Sequence, residues 1–214
     1  MKAPTAGILL AAGESKRFGA PKQLLTFGGR CLIQRALAAA LESNLDRVLL
    51  VLGCEHERIR SSLGAWAGHP KFDLLVNPDY RGGLSTSLKA GVARIQDEFP
   101  AAMFLLGDQP LVDADLIDLL LARFAESEKP ICVPTHRGVR GNPTLFSNDI
   151  YPALLNLTGD RGARDLIAAH PDWVLAVEIP DPRVFLDIDR PEDVEKIAAL
   201  LGSRRSAEQD HTTG

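Results

Sequence analysis

The sequence predicts one α/β domain of three layers, with helices on both faces of a mostly parallel sheet. Three observations lead there. Short β-branched and aliphatic runs alternate with longer helical patterns along the chain, which is how consecutive βαβ units read. The 214 residues, 45% hydrophobic and 24% charged, are enough for one sizeable core and describe a single ordinary globular domain. No internal repeat and no Pro/Gly/Ser-rich linker divides the pattern.

The first run, residues 7–11 (Gly-Ile-Leu-Leu-Ala), is an apolar strand that ends abruptly in glycine, hydroxyl and cations. Residues 32–43 carry Leu, Ile and Ala at helical spacing, and residues 47–52 (Arg-Val-Leu-Leu-Val-Leu) form the next strand. A helix over 55–66 and a strand over 72–76 (Phe-Asp-Leu-Leu-Val) come next. Residues 84–98 place Leu88, Val92 and Ile95 on one helical face after a glycine pair. The strand 102–106 (Ala-Met-Phe-Leu-Leu) precedes a helix over 113–125 that opens on Asp113. Strands at 130–134 and 173–177 enclose two short helices, 149–155 and 162–169. A last helix over 191–201 starts at Pro191, whose missing N–H costs nothing in a first turn, and is followed by acids that suit the positive end of the helix dipole. The remainder, Gly-Ser-Arg-Arg-Ser-Ala-Glu-Gln-Asp-His-Thr-Thr-Gly, has no apolar periodicity. The domain is therefore expected over 1–202, with a disordered tail over 203–214.

The formal net charge is −4. It offers no global footprint for nucleic acid or an anionic membrane, so any anion site must be local. Cys31, Cys54 and Cys132 are odd in number, far apart and without C-x-x-C spacing, which suggests buried free thiols rather than disulfides or a zinc site. The N-terminal apolar run is too short for a signal peptide and no stretch approaches a membrane span. A cytoplasmic protein is expected. The five histidines, His56, His69, His136, His170 and His211, show neither nucleophile nor metal-ligand spacing.

In doubly wound sheets ligands collect beyond the carboxyl ends of the strands, and three loops there carry chemistry. The first, Ala-Ala-Gly-Glu-Ser-Lys-Arg-Phe-Gly-Ala-Pro-Lys, surrounds flexible backbone at Gly13 and Gly19 with Lys16, Arg17 and Lys22. Unpaired amides and cations together make an anion cradle. Its glycine spacing is neither that of a P-loop nor G-x-G-x-x-G, and Lys16 is assigned to solvent. The second loop delivers Asp108 at the end of an apolar strand, where a carboxylate can hold a hard cation or simply cap a turn. The third, Phe-Leu-Asp-Ile-Asp-Arg-Pro-Glu-Asp, alternates Asp187 and Asp189 with apolar residues, so an extended chain points both to one side. Two such carboxylates repel unless a metal, Arg190 or solvent relieves them. A polyphosphate cradle with two carboxylate loops is the equipment of metal-assisted nucleotidyl transfer.

Residues 10–22, L-A-A-G-E-S-K-R-F-G-A-P-K, resemble the L-A-A-G-x-S-x-R-F/M-G-x-x-K signature of the nucleotidyltransferases related to molybdenum cofactor cytidylyltransferase. The resemblance continues in order through NPDYRGGLSTSLKAG, LLGDQPLV, GNPTLFS, LTGDRGAR and DIDRPED, covering nearly the whole chain except the tail. It implies a Rossmann-like nucleotidyltransferase domain of the nucleotide-diphospho-sugar transferase fold. It also implies transfer of CMP from CTP to molybdopterin with Mg²⁺, giving the cytosine dinucleotide and pyrophosphate. A molybdoenzyme or its chaperone would be the partner downstream.

On the same resemblance, backbone at Leu10, Ala11, Ala12 and Gly13 holds the nucleotide while Arg17 and Lys22 contact its phosphates. Asp108 is the principal metal ligand, with Asp187 as the second and Asp189 as its alternative. Gly82, Gly83, Ser85 and Ser87 lie along base and ribose, although Ser85 could equally cap a helix. Asn142, Arg161 and Arg164 face the acceptor, unless Asp160 and Asp165 take the two guanidiniums. Family members commonly have His at the place of Asn142. The signature is shared with nucleotidyltransferases for sugar, methylerythritol or lactyl phosphates, so another phosphorylated acceptor is the alternative. A non-catalytic carrier of the molybdenum cofactor is a further one.

Overall fold

The computed structural model describes residues 3–211. Along the chain run β1 (Thr5–Ala11), β2 (Thr26–Phe27), β3 (Arg30–Cys31), α1 (Leu32–Glu42), β4 (Arg47–Leu52), α2 (His56–Ser62), β5 (Phe72–Val76), α3 (Leu84–Ile95), β6 (Ala101–Leu106) and α4 (Ala114–Ala125). Beyond them lie β7 (Ile131–His136), β8 (Val139–Arg140), β9 (Thr144–Ser147), α5 (Tyr151–Leu155), α6 (Arg164–Ala169), β10 (Val174–Glu178) and α7 (Pro191–His211). β2 and β3 form a separate antiparallel ribbon. The other eight strands build one sheet in the order β10-β7-β9-β6-β1-β4-β5, with β8 added to β7. β1 pairs in parallel with both β4 and β6, β5 joins β4 in parallel, and β10 joins β7 in parallel. β9 alone enters between β6 and β7 and runs antiparallel to both.

All seven residues of β1 are buried, because helices cover both faces of the sheet. Alternation along the strand sends Leu9 and Ala11 into one cluster with Leu37 and Leu41 of α1 and Leu120 of α4. It sends Ala6, Ile8 and Leu10 into the opposite cluster with Leu88 and Val92 of α3 and Leu154 of α5. Burying one such aliphatic side chain contributes roughly 1.5–3 kcal/mol, so the two layers fix the position of the strand that leads into the first cation-rich loop. A third cluster joins Phe27 and Leu32 to Ile188 and Ile197. It pins α7, and the acidic segment before it, beside the domain.

The long strands fall where the aliphatic runs predict them, and the differences have physical causes. The helix expected over 55–66 stops at Ser62 because Gly64, at φ 57°, turns the chain left-handed into a short 3-10 segment. β7 continues beyond Pro134 to His136. Pro134, which has no N–H to give, falls where β7 passes from pairing β9 at Ile131 and Cys132 to pairing β8 at Thr135 and His136. β8 and β9 lie in the stretch read only as an acceptor-side motif. The Phe-Leu-Asp-Ile-Asp segment keeps its alternation, with Ile188 fully buried, but it is not a strand: it comes after a 3-10 turn and lies outside the sheet. α7 extends past Leu201 into the segment expected to be disordered, where Arg, Ala, Glu and Gln are good helix formers even without an apolar stripe. Residues 212–214 of that expected tail lie outside the described residues.

Candidate active site

β4 lies on one side of β1 and β6 on the other, so the loops after β1 and β6 diverge at a switch in strand order and leave a crevice. A cleft of about 550 Å³ opens there, lined among others by Ala12, Gly13, Arg17, Lys22, Asp108 and Asp187. Leu10 and Ala11 form its floor where β1 ends. The loop after β6 is held to β1 by Gly107 N–H donating to Leu10 O at 2.9 Å. The acidic segment is held to that loop by Ile188 N–H donating to Asp108 O at 3.0 Å. Three distant stretches therefore meet at the carboxyl ends of the central strands β1 and β6.

Lys22 is where they converge. Its ammonium donates to Asp108 Oδ2 at 2.8 Å, to Ile188 O at 2.7 Å and to Asp189 Oδ1 at 3.1 Å. Burial alone would lower its pKa, but the charge of Asp108 and the hydrogen bonds to Asp108 and Asp189 outweigh that and raise it. The ammonium stays charged. Asp189 is shared with Arg17, whose Nη1 lies 3.4 Å from Oδ2. Lys16 extends outward and pairs with Glu14 at 2.8 Å.

Asp108 and Asp187 show how a metal would fit. Asp108 Oδ1 is buried with no hydrogen-bond partner, so one oxygen of the carboxylate is left unsatisfied while Oδ2 takes Lys22. The pKa of Asp187 is raised, first by desolvation against the cleft walls and then by the charges of Asp108 and Asp189. Such crowding is what a cation relieves. Among the described residues no three His, Cys, Asp or Glu side chains gather as a metal site of their own. A divalent ion here would need further ligands from bound phosphate and water, as Mg²⁺ commonly does.

α3 starts at Leu84, as expected, but its first turn does not give Gly82 and Ser85 the place along the nucleotide expected of them. Gly83, at φ 100°, brings the chain into the cleft, and a Cβ there would lie 2.6 Å from Asp160 Oδ1. The Asp160 carboxylate accepts the Leu84 N–H at 3.1 Å and so caps the helix from a remote loop. Leu84 therefore faces the cleft. Ser85, one helical step of roughly 100° later, is turned inward and 1% exposed; its N–H donates to Gly159 O. Ser85 neither borders the cleft nor caps the helix with its hydroxyl, and Gly82 does not reach the cleft either. Ser87 borders it, but its hydroxyl oxygen accepts from Asn77 Nδ2 at 3.0 Å.

A second cavity of about 270 Å³ adjoins the first. Leu88, Phe104, Val133 and Phe146 give it an apolar floor, while Arg140, Asn142, Arg161 and Arg164 border it. Leu10, Leu84, Leu106 and Arg164 border both cavities. The two arginines expected to act alike are distinct. Arg161 pairs with Asp165 at 2.9 Å, whereas Arg164 makes no ion pair among the described residues and stands at the junction. Two residues escaped the sequence reading, Gln23, buried under the first loop, and Arg140, brought in by β8; Asp160, read only as a partner for an arginine, instead caps α3. A polar residue ahead of two leucines was the available signal for Gln23.

The arrangement can hold a polyphosphate against cations and backbone beside a pair of carboxylates, with a second, anion-compatible cavity next to it. Residues 7–174 match the MobA-like NTP transferase domain family. The chain is 32% identical over 205 residues to the purine catabolism protein PucB of Bacillus subtilis (strain 168), covering 91% of this chain and 96% of that protein. It is 30% identical over 189 residues to the molybdenum cofactor cytidylyltransferase of Escherichia coli (strain K12), covering 87% and 91%. It is 28% identical over 203 residues to the nicotine blue oxidoreductase of Paenarthrobacter nicotinovorans, covering 89% and 95%. Among solved structures, a homologue of Mycobacterium tuberculosis rv0371c from Mycobacterium sp. strain JC1 superposes with a TM-score of 0.81 at 28% identity, over 95% of this chain and 99% of that one. A manganese complex of Rv0371C from M. tuberculosis H37Rv has a TM-score of 0.75 at 26% identity, over 92% and 98%.

Proposed function

The chain belongs to the MobA-like NTP transferase family and is a nucleotidyltransferase, and within that family we propose that it transfers CMP from CTP to the phosphate of molybdopterin, releasing pyrophosphate. The observation that carries this reading is the convergence of Lys22, Asp108, Asp187 and Asp189 beside the Ala12–Gly13 backbone. In it Asp108 Oδ1 is buried and has no hydrogen-bond partner. The identity to the E. coli cytidylyltransferase supports the acceptor.

Backbone at Ala12 and Gly13 receives the triphosphate, and Arg17 and Lys22 turn from Asp189 and Asp108 toward its oxygens. Their charge stabilises what builds up on the α-phosphate and the leaving pyrophosphate. Asp108 and Asp187 would hold the divalent ion, Mg²⁺ in this reading, which would supply positive charge against the triphosphate. Asp187 is the better second ligand because Asp189 is already occupied by Lys22 and Arg17. The acceptor enters through the second cavity, with Arg164 at the junction holding its phosphate near the α-phosphorus. A phosphate monoester is largely ionised near neutral pH and needs no general base, which agrees with the absence of a histidine from the cleft lining among the described residues. A carrier that only bound the cofactor would have no use for the carboxylate pair.

Ala12 is 7% exposed at the cleft floor, where its methyl narrows the space next to the nucleotide backbone contact. It is the basis for choosing cytosine over a purine. The test is pyrophosphate release with CTP and GTP, with and without molybdopterin, in the native protein and in Ala12→Gly. CTP should be preferred, with Ala12→Gly eroding the preference by about 1–3 kcal/mol, the range for a steric methyl. Equal or GTP-favoured use by the native protein would overturn the cytidylyltransferase reading. Turnover that needs no molybdopterin and accepts a sugar phosphate would move the acceptor elsewhere.

A further inference from the structure

Directly after Lys22 lies a polar residue to which nucleotidyl transfer gives no task. Gln23 is 4% exposed, and its carboxamide reaches under the loop that leaves β1. Nε2 donates toward Ala11 O at 3.4 Å and Gly13 O at 3.3 Å. Oε1 accepts from Ser15 Oγ at 3.3 Å. Ser15 Oγ in turn accepts the Lys22 N–H at 3.2 Å. Between those two carbonyls, Ala12 O is taken by Cys54 N–H at 3.2 Å. Three successive carbonyls are thereby anchored to the protein.

In a trans peptide the N–H points opposite to its carbonyl. Anchoring Ala11 O and Gly13 O therefore fixes the directions of the Ala12 and Glu14 amides, and keeps two partial negative charges from swinging toward a bound anion. Ser15 itself sits at φ 51°, a left-handed conformation that a serine holds only when its surroundings over-determine it. The same side chain that holds Ser15 also sets, through Ser15 Oγ, the backbone that carries Lys22.

We propose that Gln23 is the positioning residue of the nucleotide cradle, orienting the 11–15 backbone for a triphosphate and registering that backbone with Lys22. The proposal rests on the reading of the β1 loop as the cradle. Three variants separate the two ideas. Gln23→Met keeps the volume and removes every hydrogen bond, Gln23→Glu keeps an acceptor for Ser15 and loses the donor, and Ser15→Ala removes the hydroxyl that joins Gln23 to the Lys22 N–H, at a half-buried position without opening the core.

The readouts are amide hydrogen exchange across residues 12–19 in the unliganded protein, CTP affinity by calorimetry with Mg²⁺ present, and the split between KM and kcat. Exchange should quicken in both Gln23 variants. The CTP dissociation constant and KM should rise about tenfold or more, as expected for losing two or more hydrogen bonds, with kcat at saturation changed far less. Gln23→Glu should be the worse, since it sets a carboxylate against two carbonyls, and Ser15→Ala should weaken CTP about threefold. A purely structural role would lower kcat with the fraction folded and leave KM alone, and that result would overturn the proposal. So would unchanged exchange in both Gln23 variants. Faster exchange with unchanged CTP affinity would instead overturn the cradle reading beneath it.

Discussion

Replacing Lys22 by Met removes one charge and keeps most of the side-chain length, and the burial of its partners sets the size and sign of the effect. The Lys22 side chain is 14% exposed and that of Asp108 24%. Losing one member of such a pair, with its charge-assisted hydrogen bond, costs roughly 2–3 kcal/mol. The Asp189 partner is 49% exposed and adds about 0–1 kcal/mol after solvent screening. At roughly 2–4 °C per kcal/mol for a domain of this size, the metal-free variant should melt about 4–16 °C below the native protein. A divalent cation should recover more of that loss in the variant than it adds to the native protein, where it competes with the ammonium for Asp108. Turnover should nonetheless fall about a hundredfold or more, the scale of losing one transition-state charge contact. The assay is a pair of thermal melts at neutral pH, with and without Mg²⁺, alongside pyrophosphate release. Equal Mg²⁺-dependent shifts in the two proteins, or unimpaired turnover, would refute the idea that Lys22 guards the carboxylates and then serves the phosphates.

Asp187 gives a prediction in pH. Its folded-state pKa is raised above 3.8, so the metal-free fold loses stability as pH rises from 3.8 through the raised value. Asp187→Asn removes that loss and should melt higher than the native protein at neutral pH, with the gap closing in melts taken below pH 3.8, while metal-dependent turnover collapses. Arg164→Ala should raise the acceptor KM and lower kcat/KM about tenfold or more, on the scale of one charge-assisted contact; Arg161→Ala, which gives up an exposed pair with Asp165, should change either by no more than a few-fold in steady-state kinetics. Gly83→Ala meets Asp160 Oδ1 at 2.6 Å and Gly159 backbone at 2.9 Å while holding φ at 100°, so chemical denaturation should show a loss of roughly 1–3 kcal/mol.

What the sequence could reveal depended on how local each cause was. β1, β4 and β6 are legible because a buried parallel strand is apolar nearly throughout, a property of about five or six adjacent residues, and β5, half-buried at the sheet edge, still carries an apolar run. β8 and β9 have two and four residues. Runs that short look like loop, and β9 becomes a strand only because β6 and β7 leave a gap that an antiparallel partner fills. The sequence places the start of α3 at Leu84, where the structure has it, but does not tell which way the side chains of its first turn face. A shift of one residue rotates every side chain by roughly 100°, and that start is set by Gly83 and by Asp160, a residue 76 positions from the amide it caps.

The candidate site obeys the same division. Residue types in the L-A-A-G, G-D-Q and D-I-D segments named the chemistry, because cations, carboxylates and flexible backbone have few other uses at strand ends. Their pairing was beyond reach, since Lys22 finds Asp108 and Asp189 across 86 and 167 residues. That pairing also separates two aspartates that their spacing alone leaves equivalent. Asp189 is engaged by Lys22 and Arg17, while Asp187 is crowded by like charge and carries the raised pKa. A carboxylate held at higher free energy by its neighbours gains more from a cation than one already paired, so the crowding among the three carboxylates itself favours Asp187 as the residue that meets the metal.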